Sequence, residues 1–257
     1  MLRPRIIPCL LVHNKGLVKT VKFQEGKYVG DPMNAVRIFN EKQADELMVL
    51  DIDATANGVE PDMKMIQFWA VECRMPLCYG GGVRTAGQAA QIINVGVEKV
   101  AISAAAVERP ALVSEIAQEV GSQSVVVVLD VKRAGDRYEV WTHNASRNSG
   151  LDAVEFATRM QALGVGEIVI NSVDRDGTMS GYDVDLAQRI RAAVSVPMTV
   201  LGGASSVDDM GQLINRLGII GAAAGSLFVF KGTYRAVLIN YPGAAAKDLL
   251  TAAARLS

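Results

Sequence analysis

Short apolar runs alternate with stretches of helical periodicity along the whole chain. The apolar runs are Ile6–Val12, Glu46–Asp51, Pro76–Tyr79, Lys99–Ser103, Ser124–Asp130, Glu167–Ser172, Met198–Leu201 and Gly221–Gly225. They are rich in small and β-branched residues and do not alternate with polar ones, which is the pattern of parallel strands covered on both faces. Helices are predicted from Pro32, over about Pro61–Cys73, Thr85–Val95, Val107–Val120, Leu151–Leu163, Val184–Val194 and Val207–Leu217, and near Tyr234–Asn240. Asp31-Pro32 supplies an N-cap and a proline at the first helical position. Two stretches alternate with period two instead, Gly16–Tyr28 and Arg133–His143, and predict β-ribbons inserted after the first and fifth strands.

The second half of this pattern repeats the first. Glu46 and Glu167, Asp53 and Asp174, Pro76 and Pro197, and Gly81-Gly82 and Gly202-Gly203 are each separated by 121 positions. An internal repeat of four strand–helix units predicts a (β/α)8 TIM barrel made of two (β/α)4 halves, about 1–120 and 121–246, with an Ala-rich helical tail over 247–257. The 257 residues suit one such barrel as a single domain.

Composition narrows the function. Half the residues are hydrophobic, only 5% are aromatic and the net charge is −1. There is no basic tract for nucleic acid and no apolar run of the roughly 20 residues that span a bilayer. The N-terminal apolar run, only Ile6–Val12 and containing Pro8, is not expected to act as a signal peptide, and the three cysteines, Cys9, Cys73 and Cys78, read as reduced thiols of a cytoplasmic protein. With only two histidines, His13 and His143, a His/Cys metal site is not expected.

Barrel chemistry sits at the carboxyl ends of the strands. The stretch after the sixth strand, Asn171 to Asp183, carries Asp174, Asp176 and Thr178 with turn-forming Gly177 and Gly181. Gly202-Gly203 and Gly225-Ser226, after strands seven and eight, form a candidate phosphate cradle of bare backbone N–H groups. Gly81-Gly82 and Ser103 form its first-half counterpart, with Ala104 and Ala105 supplying no hydroxyl. Asp130 ends a valine strand, where a carboxylate is costly unless it faces the mouth; it reads as a general acid or base, or as an anchor for Lys132 or for a backbone loop. Its natural partner would lie on strand one, where the chain has Leu11. Lys15, Lys19, Lys22 and Lys27 line the first ribbon and would attract an anion or simply be solvated. At the opposite end Arg5, Glu46, Lys99 and Glu167 precede their apolar runs and can close an ionic ring.

Arg5-Ile-Ile-Pro-Cys-Leu10, Gly80-Gly-Gly82, Gly121-Ser-Gln-Ser124, Ser172-Val-Asp-Arg-Asp-Gly-Thr178, Ser180-Gly-Tyr-Asp183 and Gly202-Gly-Ala204 resemble the cyclase subunit family of imidazole glycerol phosphate synthase, HisF, from about Leu2 to Phe230. The resemblance implies a two-phosphate barrel without a cofactor, partnered by a glutaminase whose ammonia enters the bottom and travels through the core. It assigns the gate to Arg5, Glu46, Lys99 and Glu167 and a glutaminase contact to Glu98. It assigns catalysis to Asp130 and Lys19, with Leu11 in place of a second catalytic Asp. It assigns phosphate binding to Asp176, Gly177, Gly203, Gly225 and Ser226 in one half and Gly82 in the other, where Ser103 and Ala104 replace the family's Asn and Thr. Leu10–Val12, Gly16–Phe23, Lys27–Pro32, Ala224–Phe230 and Arg235–Ile239 are similar to HisF-like proteins of bacterial surface-glycan synthesis. Those work with a glutaminase and a separate amidotransferase to form an acetamidino sugar. That resemblance implies an ammonia-conducting subunit; the alternative is a true cyclase of histidine biosynthesis. An isomerase-like barrel with no glutaminase is the third reading, against which the four gate residues argue.

Overall fold

The computed structural model describes residues 3–24 and 26–252. Among these, eight parallel strands form the barrel wall: β1 (Arg5–His13), β2 (Leu47–Asp51), β3 (Leu77–Gly80), β4 (Lys99–Ile102), β5 (Val125–Ala134), β6 (Glu167–Ser172), β7 (Met198–Leu201) and β8 (Gly221–Ala224). Each pairs with the next, and β8 pairs back to β1, so the barrel wall closes on itself. The helices α1 (Pro32–Glu41), α2 (Met63–Glu72), α3 (Ala86–Asn94), α4 (Ala111–Val120), α5 (Ala153–Ala162), α6 (Val184–Ala193), α7 (Val207–Leu217) and α8 (Ala244–Ala252) follow them in turn. Their starts are held by side chains that accept otherwise orphan N–H groups. Asp31, Asp62, Asp152, Asp183 and Ser206 do this, and Thr85 with Gln88 forms a capping box.

The duplication is carried into strand register. Leu47, Met48, Val49 and Leu50 pair with Leu77, Cys78, Tyr79 and Gly80. Ile168, Val169, Ile170 and Asn171 pair with Met198, Thr199, Val200 and Leu201, every residue 121 positions further on. Two apolar shells result. One lies between wall and helices. The other fills the barrel interior with Ile7, Cys9, Met48, Cys78, Val126 and Val169, among others.

Both ribbons are present. The first pairs Gly16–Lys19 with Lys27–Gly30. The second continues β5 against Arg137–Thr142 and adds a further strand, Arg147–Asp152, so the helix expected from Leu151 starts at Ala153. The expected helix Val107–Val120 is two, Ala104–Glu108 and α4. Pro110 pushes Arg109 out of the helical region, to φ −140° and ψ 79°. The expected helix Tyr234–Asn240 is instead a hairpin, Phe230–Lys231 against Ala236–Val237. Its turn is set by Gly232 at φ 73° and Arg235 at φ 49°. Arg235 Nη2 donates to Gly177 O at 2.9 Å, and its guanidinium lies 4.8 Å from the Phe230 ring centroid.

The helix expected in the tail begins at Ala244 rather than Lys247; residues 253–257 of that expectation lie outside the described residues. The chain entering α8 is laced to the barrel bottom. Tyr241 Oη donates to Ile6 O at 2.8 Å and accepts from Asp45 N at 3.0 Å, and Lys247 Nζ donates to Asp45 Oδ1 at 2.9 Å. No helix among the described residues is long and apolar enough to cross a membrane.

Candidate active site

At the bottom of the barrel the four charged residues do close a ring. Arg5 Nη1 donates to Glu46, and Arg5 Nη2 donates to Glu167 Oε1 at 2.6 Å. Lys99 Nζ reaches Glu46 Oε1 and Glu167 Oε2, each at 2.8 Å. Thr199 Oγ1 adds a bond to Glu167 at 2.5 Å. Burial alone would raise the Glu167 carboxyl; Arg5 and Lys99 overcome it and hold the group at about 2. Lys99 is raised, because the two glutamates outweigh the desolvation that would lower it. The ring plugs the axis, with the apolar interior directly above. Glu98, next to Lys99, is exposed on this face.

At the other end the strands open into a cavity of about 300 Å³. It is lined by Leu11, Lys19, Gly82, Ser103, Asp130, Asp176 and Gly225 of the expected site, and by His13, Asp53, His143, Asn144 and Asn171. Gly177, Gly203 and Ser226 line a smaller adjoining pocket that shares Asp176 and Gly225 with the first.

Asp130 faces the mouth and does not anchor Lys132. Lys132 Nζ turns away to Ala145 O at 3.0 Å and lies 3.8 Å from the Trp141 ring centroid. Burial pushes the Asp130 carboxyl up to about 7; hydrogen bonds from Asn171, whose Nδ2 lies 3.1 Å from Oδ1, and from Ser103 offset part of that cost. Such a group is half ionised near neutrality and suits proton transfer. Ser103, expected in the first-half cradle, therefore points its hydroxyl to Asp130.

Lys19 separates from the other ribbon lysines. Lys15, Lys22 and Lys27 are exposed, and Lys15 pairs with Asp62 at 3.3 Å. Lys19 is buried, with its pKa lowered by burial, and its Nζ donates to Cys9 O at 2.5 Å. A Cβ at position 225 would stand 2.2 Å from that Nζ, so glycine is required there for the lysine to reach across. Asp176 is raised by burial, with Lys19 acting against it, and accepts from Thr20 Oγ1 at 3.1 Å.

The residues of the candidate second-half cradle, Gly177, Gly203, Gly225 and Ser226, line one small pocket. Gly203 has φ +100° and a Cβ there would lie 2.3 Å from Gly181 O. The Ser226 hydroxyl is buried and has no hydrogen-bond partner, which fits an oxyanion acceptor in this pocket. The first-half counterpart offers Gly82 at φ +72° and the turn through Ser103 and Ala104.

The sequence reading missed three groups at the mouth. His13 Nδ1 and Asp53 Oδ1 lie 2.6 Å apart, joining the first ribbon to the loop after β2. Asn144 Nδ2 donates to Ile52 O at 2.9 Å, strapping the second ribbon across the opening. Asn171 is the third. His13 is two residues beyond Leu11 on one strand, a spacing that places both on the same face and could have flagged it; the Asn144 contact has no local sequence signal. Among the described residues no group of three or more His, Cys, Asp or Glu could hold a metal ion.

A closed barrel of eight parallel strands with helices between them, and a 121-residue repeat carried into its register, is a (β/α)8 barrel of the duplicated half-barrel class. The chain matches the family described as histidine biosynthesis protein over residues 5–235. It is 55% identical over 249 residues, 96% of each chain, to a Vibrio vulnificus protein provisionally named imidazole glycerol phosphate synthase subunit hisF3. It is 52% identical over 252 residues, 97% of this chain and 99% of the other, to a Leptospira interrogans protein provisionally named as the HisF subunit. It is also 42% identical over 230 residues, 90% and 91% of the two chains, to the HisF subunit of Hyphomonas neptunium. The chain belongs to the HisF family of imidazole glycerol phosphate synthase subunits.

Proposed function

We propose that this chain is the synthase-side subunit of a cytoplasmic glutamine amidotransferase pair that conducts ammonia for acetamidino-sugar formation in lipopolysaccharide or other surface-glycan synthesis. A HisH-type glutaminase docks on the bottom face around Arg5, Glu98 and Lys99. Ammonia passes the ring of Arg5, Glu46, Lys99 and Glu167, crosses the apolar interior and leaves at the mouth, where a phosphorylated ligand and a separate sugar amidotransferase take part. The supporting observation is an asymmetry between the two ends. The bottom ring is complete and fully paired, whereas the mouth has Asp130 but only Leu11 at the matching position of the other half. Leucine exchanges no proton, and losing one proton carrier commonly costs about 10²–10⁴-fold in rate. The second reading, a true cyclase of histidine biosynthesis, draws on Lys19, Asp130 and the second-half cradle.

Docking is tested by mixing the purified chain with a HisH-type glutaminase and measuring affinity by calorimetry. A one-to-one complex is expected, and Glu98→Arg should weaken it at least about tenfold, as loss of a charged interface contact does. No complex, or an affinity indifferent to Glu98→Arg, contradicts the docking face.

A further inference from the structure

The floor of the mouth holds an acceptor that nothing in the protein satisfies. Asn171 is 4% exposed, and its Oδ1 is buried with no hydrogen-bond partner. Buried amide oxygens are almost always paired, so an orphan facing a cavity points to a missing donor. The two side-chain donors beside Asp130 are engaged with its carboxyl group. Asn171 Nδ2 donates to Asp130 Oδ1 at 3.1 Å, and the Ser103 hydroxyl also bonds Asp130. Asn171 Oδ1 and the Asp130 carboxylate are left as a pair of acceptors. Two residues below on β6 and β5, Val169 and Val128 belong to the apolar interior. The pair of acceptors therefore stands directly above the apolar interior. Space beside the oxygen is kept by Gly202, where a Cβ would come within 2.9 Å of Asn171 Oδ1.

The geometry points to Asn171 as the ammonia-binding station of the barrel exit: its Oδ1 accepts one N–H of ammonia while the Asp130 carboxylate accepts another. Ammonia has three donors and one lone pair, so a site rich in acceptors and poor in free donors holds it better than water. With its N–H groups directed at β5 and β6, the lone pair points to the open mouth, the orientation a nucleophile needs. Leu50, the residue 121 positions before Asn171, offers no such group, so the station lies on one side of the mouth only. This assignment rests on the proposal that ammonia travels through the barrel, but ammonium from bulk solution tests it without a glutaminase.

The test follows the Asn171 side-chain amide and the Asp130 carboxyl carbon of the full chain by NMR at pH 8.5. Ammonium chloride is titrated against sodium chloride at matched ionic strength. A saturable shift of both groups with ammonium alone is expected, weakened at least about tenfold in Asn171→Ser and lost, at Asp130, in Asn171→Leu. Superimposable ammonium and sodium curves in the unaltered protein overturn the station, whatever the variants do. A positive titration alongside a failed glutaminase complex would leave the station standing and remove the docking proposal instead.

Discussion

Leu11 and Asp130 occupy the same place in the two halves of the barrel. Leu11 pairs with Leu50 across β1 and β2, and Asp130 pairs with Asn171 across β5 and β6; Leu50 and Asn171 are 121 positions apart, the interval of the duplication. One half of the mouth thus presents a leucine pair where the other presents a carboxylate and an amide. Both pairs line the cavity. The asymmetry is a fact of register.

Glu167 and Asp130 should move stability with pH in opposite directions. Glu167 is held at about 2, below its ordinary 4.5, so it stabilises the fold above pH 4.5 and loses that contribution as pH falls toward 2. The contribution is on the order of 3 kcal/mol. In urea melts across pH 2–7, the advantage of the unaltered chain over Glu167→Gln should shrink through that interval.

Asp130, raised from 3.8 to about 7, is tolerated best when protonated. Its contribution is intact below pH 3.8 and is lost as pH rises through 7, a cost of roughly 2–4 kcal/mol. Asp130→Asn should therefore gain stability over the unaltered chain between about pH 4 and 7 and hold a constant lead above that.

Removing one member of the ring should cost more than removing a surface ion pair. Lys99→Met leaves Glu46 and Glu167 with one cation between them in a site where both carboxylates are almost fully buried. A loss of about 3 kcal/mol is expected, as for a broken buried pair, against at most about 1 kcal/mol for breaking the exposed Arg109–Glu115 pair by Arg109→Met. Equal effects in denaturant unfolding would contradict the paired geometry of the ring.

The segment before α8 should matter to the bottom of the barrel. Tyr241→Phe deletes a hydroxyl that joins Ile6 to Asp45, the immediate neighbours of Arg5 and Glu46. A loss of about 1–2 kcal/mol is expected, with faster amide exchange at Asp45. Exchange at Asp45 unchanged in the variant would show the strap to be dispensable.

Much of this molecule is legible in its sequence because the physics is local and periodic. Apolar runs of strand length give the wall, and the 121-residue interval gives its halving. Terminal charges before the runs give the ring, since a barrel brings all strand starts to one end. What was not legible depends on contacts distant in sequence. The Phe230–Val237 hairpin has helix-like apolar spacing, but Gly232, Arg235 and the Gly177 carbonyl set its path. Pro110 lies inside the expected Val107–Val120 helix and divides it by forcing Arg109 out of the helical region. The orphan oxygen of Asn171 depends on which neighbours have already spent their donors, and no single-residue pattern encodes that.

The most direct test of the central claim is ammonium-driven turnover of the bis-phosphate ribonucleotide that HisF cyclases convert to imidazole glycerol phosphate. The unaltered chain should show little or no turnover, and Leu11→Asp, which restores a proton carrier opposite Asp130, should raise it by about 10²-fold or more. Turnover by the unaltered chain at ordinary cyclase rates, with no gain from Leu11→Asp, would contradict the account and return the protein to histidine biosynthesis.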